Sequence, residues 1–232
     1  MDWFAPIDLY CERTGPEIWS EPLNAISNAS FLLAAIWAYR TAKVRDALHW
    51  TIIAAIALVS LISIGSFLFH TQANVWSELT DVIPIWTFVI WFVILSIHYQ
   101  TGAKNLKRTA GIVLGSVAVI GTIIWMMGSD VTTDPNVAQV GDGMNGSSQY
   151  FPAVAALFIF TIVMLIKKDA GRWWVLAAAI TFTISLMFRT VDLWVCSTFV
   201  TGTHFFWHIL NGLMIALLLQ GLIRHLETTD HP

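Results

Sequence analysis

Charge is scarce in this chain. Of its 232 residues, 12% are charged and 56% are hydrophobic, whereas a soluble domain carries about twice that charged fraction. A water-soluble fold is excluded, the more so because the apolar residues run in long unbroken stretches and the mean hydropathy is +0.68. The net charge is only −3, and no basic patch offers itself to nucleic acid. The N-terminal residues have no basic region and no cleavage site, so they are not a secretory signal, and the first apolar stretch serves as the insertion signal. Only five lysines are present. None lies in an apolar stretch, so no buried amine is available for a retinal Schiff base and a rhodopsin is excluded. No repeat or low-complexity segment stands out.

A membrane-spanning helix needs about 20 mostly apolar residues. Seven windows qualify, at 23–42, 50–70, 79–99, 109–127, 149–166, 173–191 and 204–222. The sequence therefore predicts an all-α fold: an integral membrane bundle of seven transmembrane helices, forming one membrane domain over 1–232. Residues 1–22 form an outer segment and 223–232 a tail. Arg40, Lys43, Arg45, Lys104, Lys107, Arg108, Lys167, Lys168, Arg172 and Arg224 all fall on one side, leaving only Arg13 and Arg189 on the other. Basic loops favour the cytoplasm, so the N-terminus is predicted outside and the C-terminus cytoplasmic. The loop at 128–148, rich in Gly, Asp and Asn, reads as exposed and without chemistry.

Ionisable groups inside spans are functional candidates by default. The second span ends on Ser66 and His70, the third begins near Asp81, and the seventh begins His204-Phe-Phe-Trp-His208. Residues four apart share a helix face, and the predicted topology puts all five at one depth near the outer face. Three imidazoles leave a fourth position open, as a catalytic zinc site requires, and such a site makes water nucleophilic near neutral pH. Asp81 could accept a proton or orient a histidine. Ser66 could donate to an oxyanion. His49, His98, His225 and His231 lie at cytoplasmic boundaries or in the tail. Asn24, Ser27 and Asn28 form a stripe on the first span, continuing from Glu21, and suit helix–helix bonding. Arg189 and Asp192, three apart, are expected to pair. Trp3, Trp19, Trp76 and Trp194 suit an outer interfacial belt.

Together, Tyr10-Cys11-Glu12, Glu21-Pro-Leu-Asn24 with Ser27-Asn28, Ser66-x₃-His70, Asp81 and His204-x₃-His208 resemble the alkaline ceramidases, within the membrane-hydrolase superfamily that includes the adiponectin and progestin receptors. The motifs span residues 10 to 208 in the family's order. The resemblance implies zinc on His70, His204 and His208, with Ser66 and Asp81 assisting amide hydrolysis of ceramide to a sphingoid base and a fatty acid. It also implies a calcium site using Glu12, Glu21 and the Tyr10 carbonyl, although Leu9 and Thr14 stand where eukaryotic members have aspartate and asparagine. Cys11 and Cys196 both fall on the outer, oxidising side, and the resemblance favours a disulfide between them. The implied partner is a ceramide-like membrane lipid reaching the site laterally; no segment marks an obligatory protein partner. A related lipid amide or ester hydrolase, or a receptor with hydrolase activity, fits the same residues. A metal-ion transporter would place its groups near the midplane rather than at one face.

The loop charges generate a first prediction. Reporter fusions at the two termini should report an outer N-terminus and a cytoplasmic C-terminus; a cytoplasmic N-terminus would overturn the orientation and the outer placement of the histidines.

Overall fold

The computed structural model describes residues 2–128 and 144–230. Most of the loop at 128–148, and both His231 and Pro232, lie outside the described residues. Among the described residues the chain is all helical, with no strand and a single isolated bridge between Pro6 and Asn74. The helices are α1 (Pro22–Ser27), α2 (Ala29–Val44), α3 (Trp50–Gln72), α4 (Val75–Gln100), α5 (Leu106–Gly128), α6 (Phe151–Ile166), α7 (Arg172–Val195) and α8 (His204–Asp230), with a 3₁₀ turn, Ser147–Tyr150, leading into α6.

Five helical stretches among the described residues are long and apolar enough to cross a membrane: Trp50–Gln72, Val75–Gln100, Ser147–Ile166, Arg172–Val195 and His204–Leu226. Their outward faces carry exposed Ile53, Ile64, Ile83, Ile159, Ile162, Ile180 and Leu213. Surfaces this apolar are stable only where lipid replaces water, and the protein is a multi-pass membrane protein.

The first predicted span, 23–42, is divided in two. Asn24 gives its carbonyl to the Ser27 hydroxyl at 2.9 Å and to Asn28 Nδ2 at 2.8 Å, and the Asn28 carbonyl accepts from Ser63 at 2.8 Å and from the Phe31 N–H at 3.2 Å. Side chains thus take carbonyls that would otherwise continue the helical ladder. The third span starts earlier than expected. Asn74 and Ser77 form a reciprocal capping box that begins α4 at Val75, so Asp81 lies well inside the helix rather than at its start. At the other end of the chain, α8 continues to Asp230, so most of the predicted tail is helical.

Helices α2, α3 and α4 pack in sequence, α8 lies between α2 and α7, α6 packs on α7, and α5 packs on α4. The buried stripe of α2 begins at Phe31 and continues through Ala34, Ala35, Ala38 and Ala42, small residues that let helices approach closely. Helices α4 and α6 meet through side chains: Trp86 stacks on Tyr150 with centroids 6.3 Å apart, Phe92 meets Phe160 at 6.4 Å, and Lys167 Nζ donates to the Gln100 carbonyl at 3.0 Å. Behind this seam is a cavity of about 1610 Å³, beyond the roughly 300–1,000 Å³ of a drug-sized site. Its walls run along α4 from Glu78 to Thr101 and are largely apolar, including Ile85, Val89, Leu157 and Phe182.

A polar clasp joins the helices at the end opposite the predicted site. Asp169 Oδ2 accepts from His225 Nδ1 at 2.6 Å and from Gln100 Nε2 at 2.9 Å, while Asp169 Oδ1 accepts from the Gly171 N–H at 2.8 Å. Burial works to raise the Asp169 pKa, but these hydrogen bonds outweigh it and hold the carboxyl at about 2. Its stabilising contribution is therefore complete above the ordinary carboxylate range and is lost as pH falls towards about 2. Asp169→Asn should unfold at a lower temperature than the parent near neutral pH, and thermal melts should show that difference closing as pH falls below about 4.

Candidate metal centre

Two helix ends supply the predicted ligands. The last turns of α3 carry Ser66 and His70, and the first turns of α8 carry His204 and His208. All three histidines are buried, and their ligand-capable nitrogens lie within 4.8 Å of one another. Ring centroids are 4.6 Å apart for His70–His208 and for His204–His208, and 5.4 Å for His70–His204.

The hydrogen bonds fix two of the tautomers. His70 Nδ1 lies 2.6 Å from Glu21 Oε2; a carboxylate only accepts, so Nδ1 carries the proton and the Nε2 lone pair is free. His208 Nδ1 lies 2.8 Å from Ser27 Oγ, whose own proton goes to the Asn24 carbonyl at 2.9 Å. The hydroxyl must then accept from His208, which again frees Nε2. His204 Nδ1 is buried without a hydrogen-bond partner. Orientation by a carboxylate or hydroxyl is the usual support of a metal-ligating histidine, and the three-histidine group can hold a metal ion.

Close helix contacts place Ser66 and Asp81 beside this group. Pro84 removes the N–H that would bond the Thr80 carbonyl inside α4. That carbonyl packs against Gly65 of α3, where a Cβ would strike it directly. The contact brings Ser66 within hydrogen-bonding reach of the Asp81 carboxylate. Asp81 lines the cavity, and its Oδ1 is buried without a partner.

The N-terminal segment covers the centre. Tyr10 stacks on His204 with centroids 3.6 Å apart, and burial pushes its phenol up to about 12 against the opposing charge of Arg189. Cys11 is bridged to Cys196, with Cα atoms 5.3 Å apart. Asp192 takes part here in a way the sequence reading missed. It does not pair with Arg189; it accepts from the Cys11 N–H at 3.1 Å, the Thr203 N–H at 2.6 Å and the His204 N–H at 2.9 Å. It thereby caps α8 and seats its first ligand, satisfying N–H groups that a helix start leaves orphaned.

The predicted calcium ligands are otherwise occupied. Glu12 uses both oxygens to cap α1, accepting from the Leu23 N–H at 2.7 Å and the Asn24 N–H at 2.8 Å. Burial nevertheless pushes its carboxyl up, those two bonds offsetting only part of the effect. Glu21 accepts from Arg13 Nε on one oxygen, and from His70 and Asn24 Nδ2 on the other. Burial opposes ionisation of Glu21, and the bond from His70, that from Asn24 and the charge of Arg13 outweigh it, so its carboxyl is held below the usual range. The Tyr10 carbonyl accepts from the Arg13 N–H at 3.2 Å. Arg13 also donates to the Gly15 carbonyl and to the His70 carbonyl, each at 3.0 Å. Calcium needs six to eight oxygens, and these residues do not fit it. A guanidinium supplies the positive charge instead. The missed roles of Glu21 and Ser27 were readable from one rule, that ligating histidines are held through their second nitrogen.

No protein-family model matches the chain, and no curated protein matches it.

Metal analysis of purified protein should find about one ion per chain, lost in His70→Ala, His204→Ala and His208→Ala. Glu21→Gln should weaken metal binding by roughly 10–100-fold; full retention of affinity would remove Glu21 from the support of His70. Arg13→Ala should destabilise by about 3–5 kcal/mol, as expected when half of a buried ion pair is lost. Added calcium should leave the thermal midpoint of the parent protein unchanged.

Proposed function

We propose that the protein is a zinc-dependent membrane amidase, similar to the alkaline ceramidases, which hydrolyses ceramide to a sphingoid base and a fatty acid. In this reading it spans the membrane seven times, α1 and α2 together making the first span, with the site near the outer face. One observation carries the proposal: three buried imidazoles, two of them held by hydrogen bonds in the ligating tautomer, form one group, and His204 and His208 of that group line a largely apolar cavity of about 1610 Å³. The cavity suits long acyl chains, and lipid would enter laterally where only side chains close the α4–α6 seam, once those side chains part.

Three neutral nitrogen donors suit zinc, which when bound would act as a Lewis acid and activate water. The chain's own groups complete the chemistry. Asp81 Oδ1, unpartnered and buried, receives the proton of the attacking water and returns it to the departing amine. The Ser66 hydroxyl lies within reach of the Asp81 carboxylate, and in this reading it positions the base rather than donating to an oxyanion. The apolar walls keep bulk water from the amide. Related lipid amides and esters fit the same site, and the assay below separates them by substrate.

Mass-spectrometric assay of ceramide turnover, run beside metal analysis, tests the reading. Asp81→Asn should retain the metal and lose turnover by roughly 10²–10⁴-fold. Ser66→Ala should retain the metal and lose less, because it removes only the support of the base. Near-normal hydrolysis by both variants, with lowered thermal stability, would assign Ser66 and Asp81 to helix packing and take them out of the mechanism.

A further inference from the structure

Arg189 is a buried cation with no counter-ion among the described residues. Its Nη1 donates to the Tyr10 hydroxyl at 3.2 Å, its Nε is buried without a hydrogen-bond partner, and the residue is only 8% exposed. Among the described residues no carboxylate lies within ion-pair distance; Asp81 acts on it from further away. Asp192, three residues on, is committed to the start of α8. Three aromatic rings surround the guanidinium instead, with their centroids 5.8 Å (Tyr10), 5.4 Å (Tyr150) and 5.4 Å (Trp207) from it. Ring faces offset part of the cost of burying the charge, yet they leave Nε without an acceptor. A buried charge normally has a hydrogen-bonded partner.

The place of Arg189 indicates what that partner is. It lines the large cavity, and the Tyr10 ring that receives its Nη1 lies flat on His204. One aromatic ring therefore separates the cation from the three-histidine group. The cavity beyond is largely apolar, with Val82, Ile85, Phe88, Val89 and Phe92 of α4 between the polar ends of its wall, which suits an occupant with a long hydrocarbon tail and an anionic head. A single guanidinium matches a single carboxylate, whose two oxygens its planar fork can engage.

We propose that Arg189 is the carboxylate anchor of the cavity and binds the head of a long-chain fatty acid. This rests on the amidase reading for the origin of the ligand. Hydrolysis breaks the amide C–N bond, forms a C–O bond from water and passes one of the water's protons to the departing nitrogen; the acid's remaining proton goes to the amine, which leaves as an ammonium ion, so an acyl group that entered neutral is released as a carboxylate beside Arg189. The same cation would then govern product retention and product inhibition.

Oleate binding to the purified full-length protein tests this directly, measured at alkaline pH by competition with a fluorescent fatty acid. Oleyl alcohol and methyl oleate serve as neutral probes of equal chain length. The parent protein should prefer oleate to both, and Arg189→Gln should lose roughly 10–100-fold in oleate affinity while oleyl alcohol binding stays the same. Arg189→Lys, which keeps the charge without the fork, should fall between. Equal binding of oleate and oleyl alcohol by the parent protein would overturn the assignment without any variant. So would a folded Arg189→Gln that keeps oleate affinity, or one that loses both ligands alike. Arg189-dependent oleate binding supports the anchor even in a protein that turns over no ceramide, so the two readings fail separately.

Discussion

The Glu21 carboxylate lies where the N-terminal segment, α1 and α3 converge, and it is bonded to all three. It receives Arg13 from the segment, Asn24 from α1 and the His70 ring from α3. Arg13 in turn reaches the His70 carbonyl, so the ligand is held through both its ring and its backbone. In a low-dielectric setting such a network is strong when complete and expensive when any member is missing. Substitution at Glu21 would at once leave Arg13 unpaired, release the His70 tautomer and loosen α1. The order of the metal centre therefore depends on one buried side chain that is not itself in the ligand group.

Polar residues are concentrated at the two ends of the bundle, and each end solves the cost of burying charge differently. At the site end Glu21 and Asp192 are satisfied by several donors apiece, whereas Asp81 and Arg189 retain unpartnered atoms facing the cavity. At the other end Asp169, His225 and Gln100 satisfy one another. Saturated groups hold helices together, and unsaturated ones mark where chemistry or a ligand is expected.

The sequence made the ligand cluster legible because i, i+4 spacing and loop charge are independent signals, and they placed Ser66, His70, Asp81, His204 and His208 in one layer. The structure brings the three histidines together and sets Ser66 against Asp81. Helix positions were readable for the same reason: apolar runs of this length have few alternatives. Partner choice was not readable. Arg189 and Asp192 look like an i, i+3 ion pair in one dimension, but Asp192 accepts two backbone N–H groups at the start of α8 and a third from Cys11 in the N-terminal segment. Glu12 and Glu21 look like cation ligands until the α1 start and Arg13 are seen to claim them. Competition of this kind is decided by tertiary proximity, which spacing along a chain does not report.

The bridge from Cys11 to Cys196 joins residues 185 apart in sequence, and the ligands are divided in the same way, with His70 on α3 and the other two on α8. During synthesis the first ligand, the segment that will cover it and the carboxylate that orients it all emerge long before their partners. The three-histidine group is complete only when the last long helix has joined the bundle, and the disulfide fastens the cover over it. A chain stalled before α8 would present only His70 of the three histidines, with the group still unfinished.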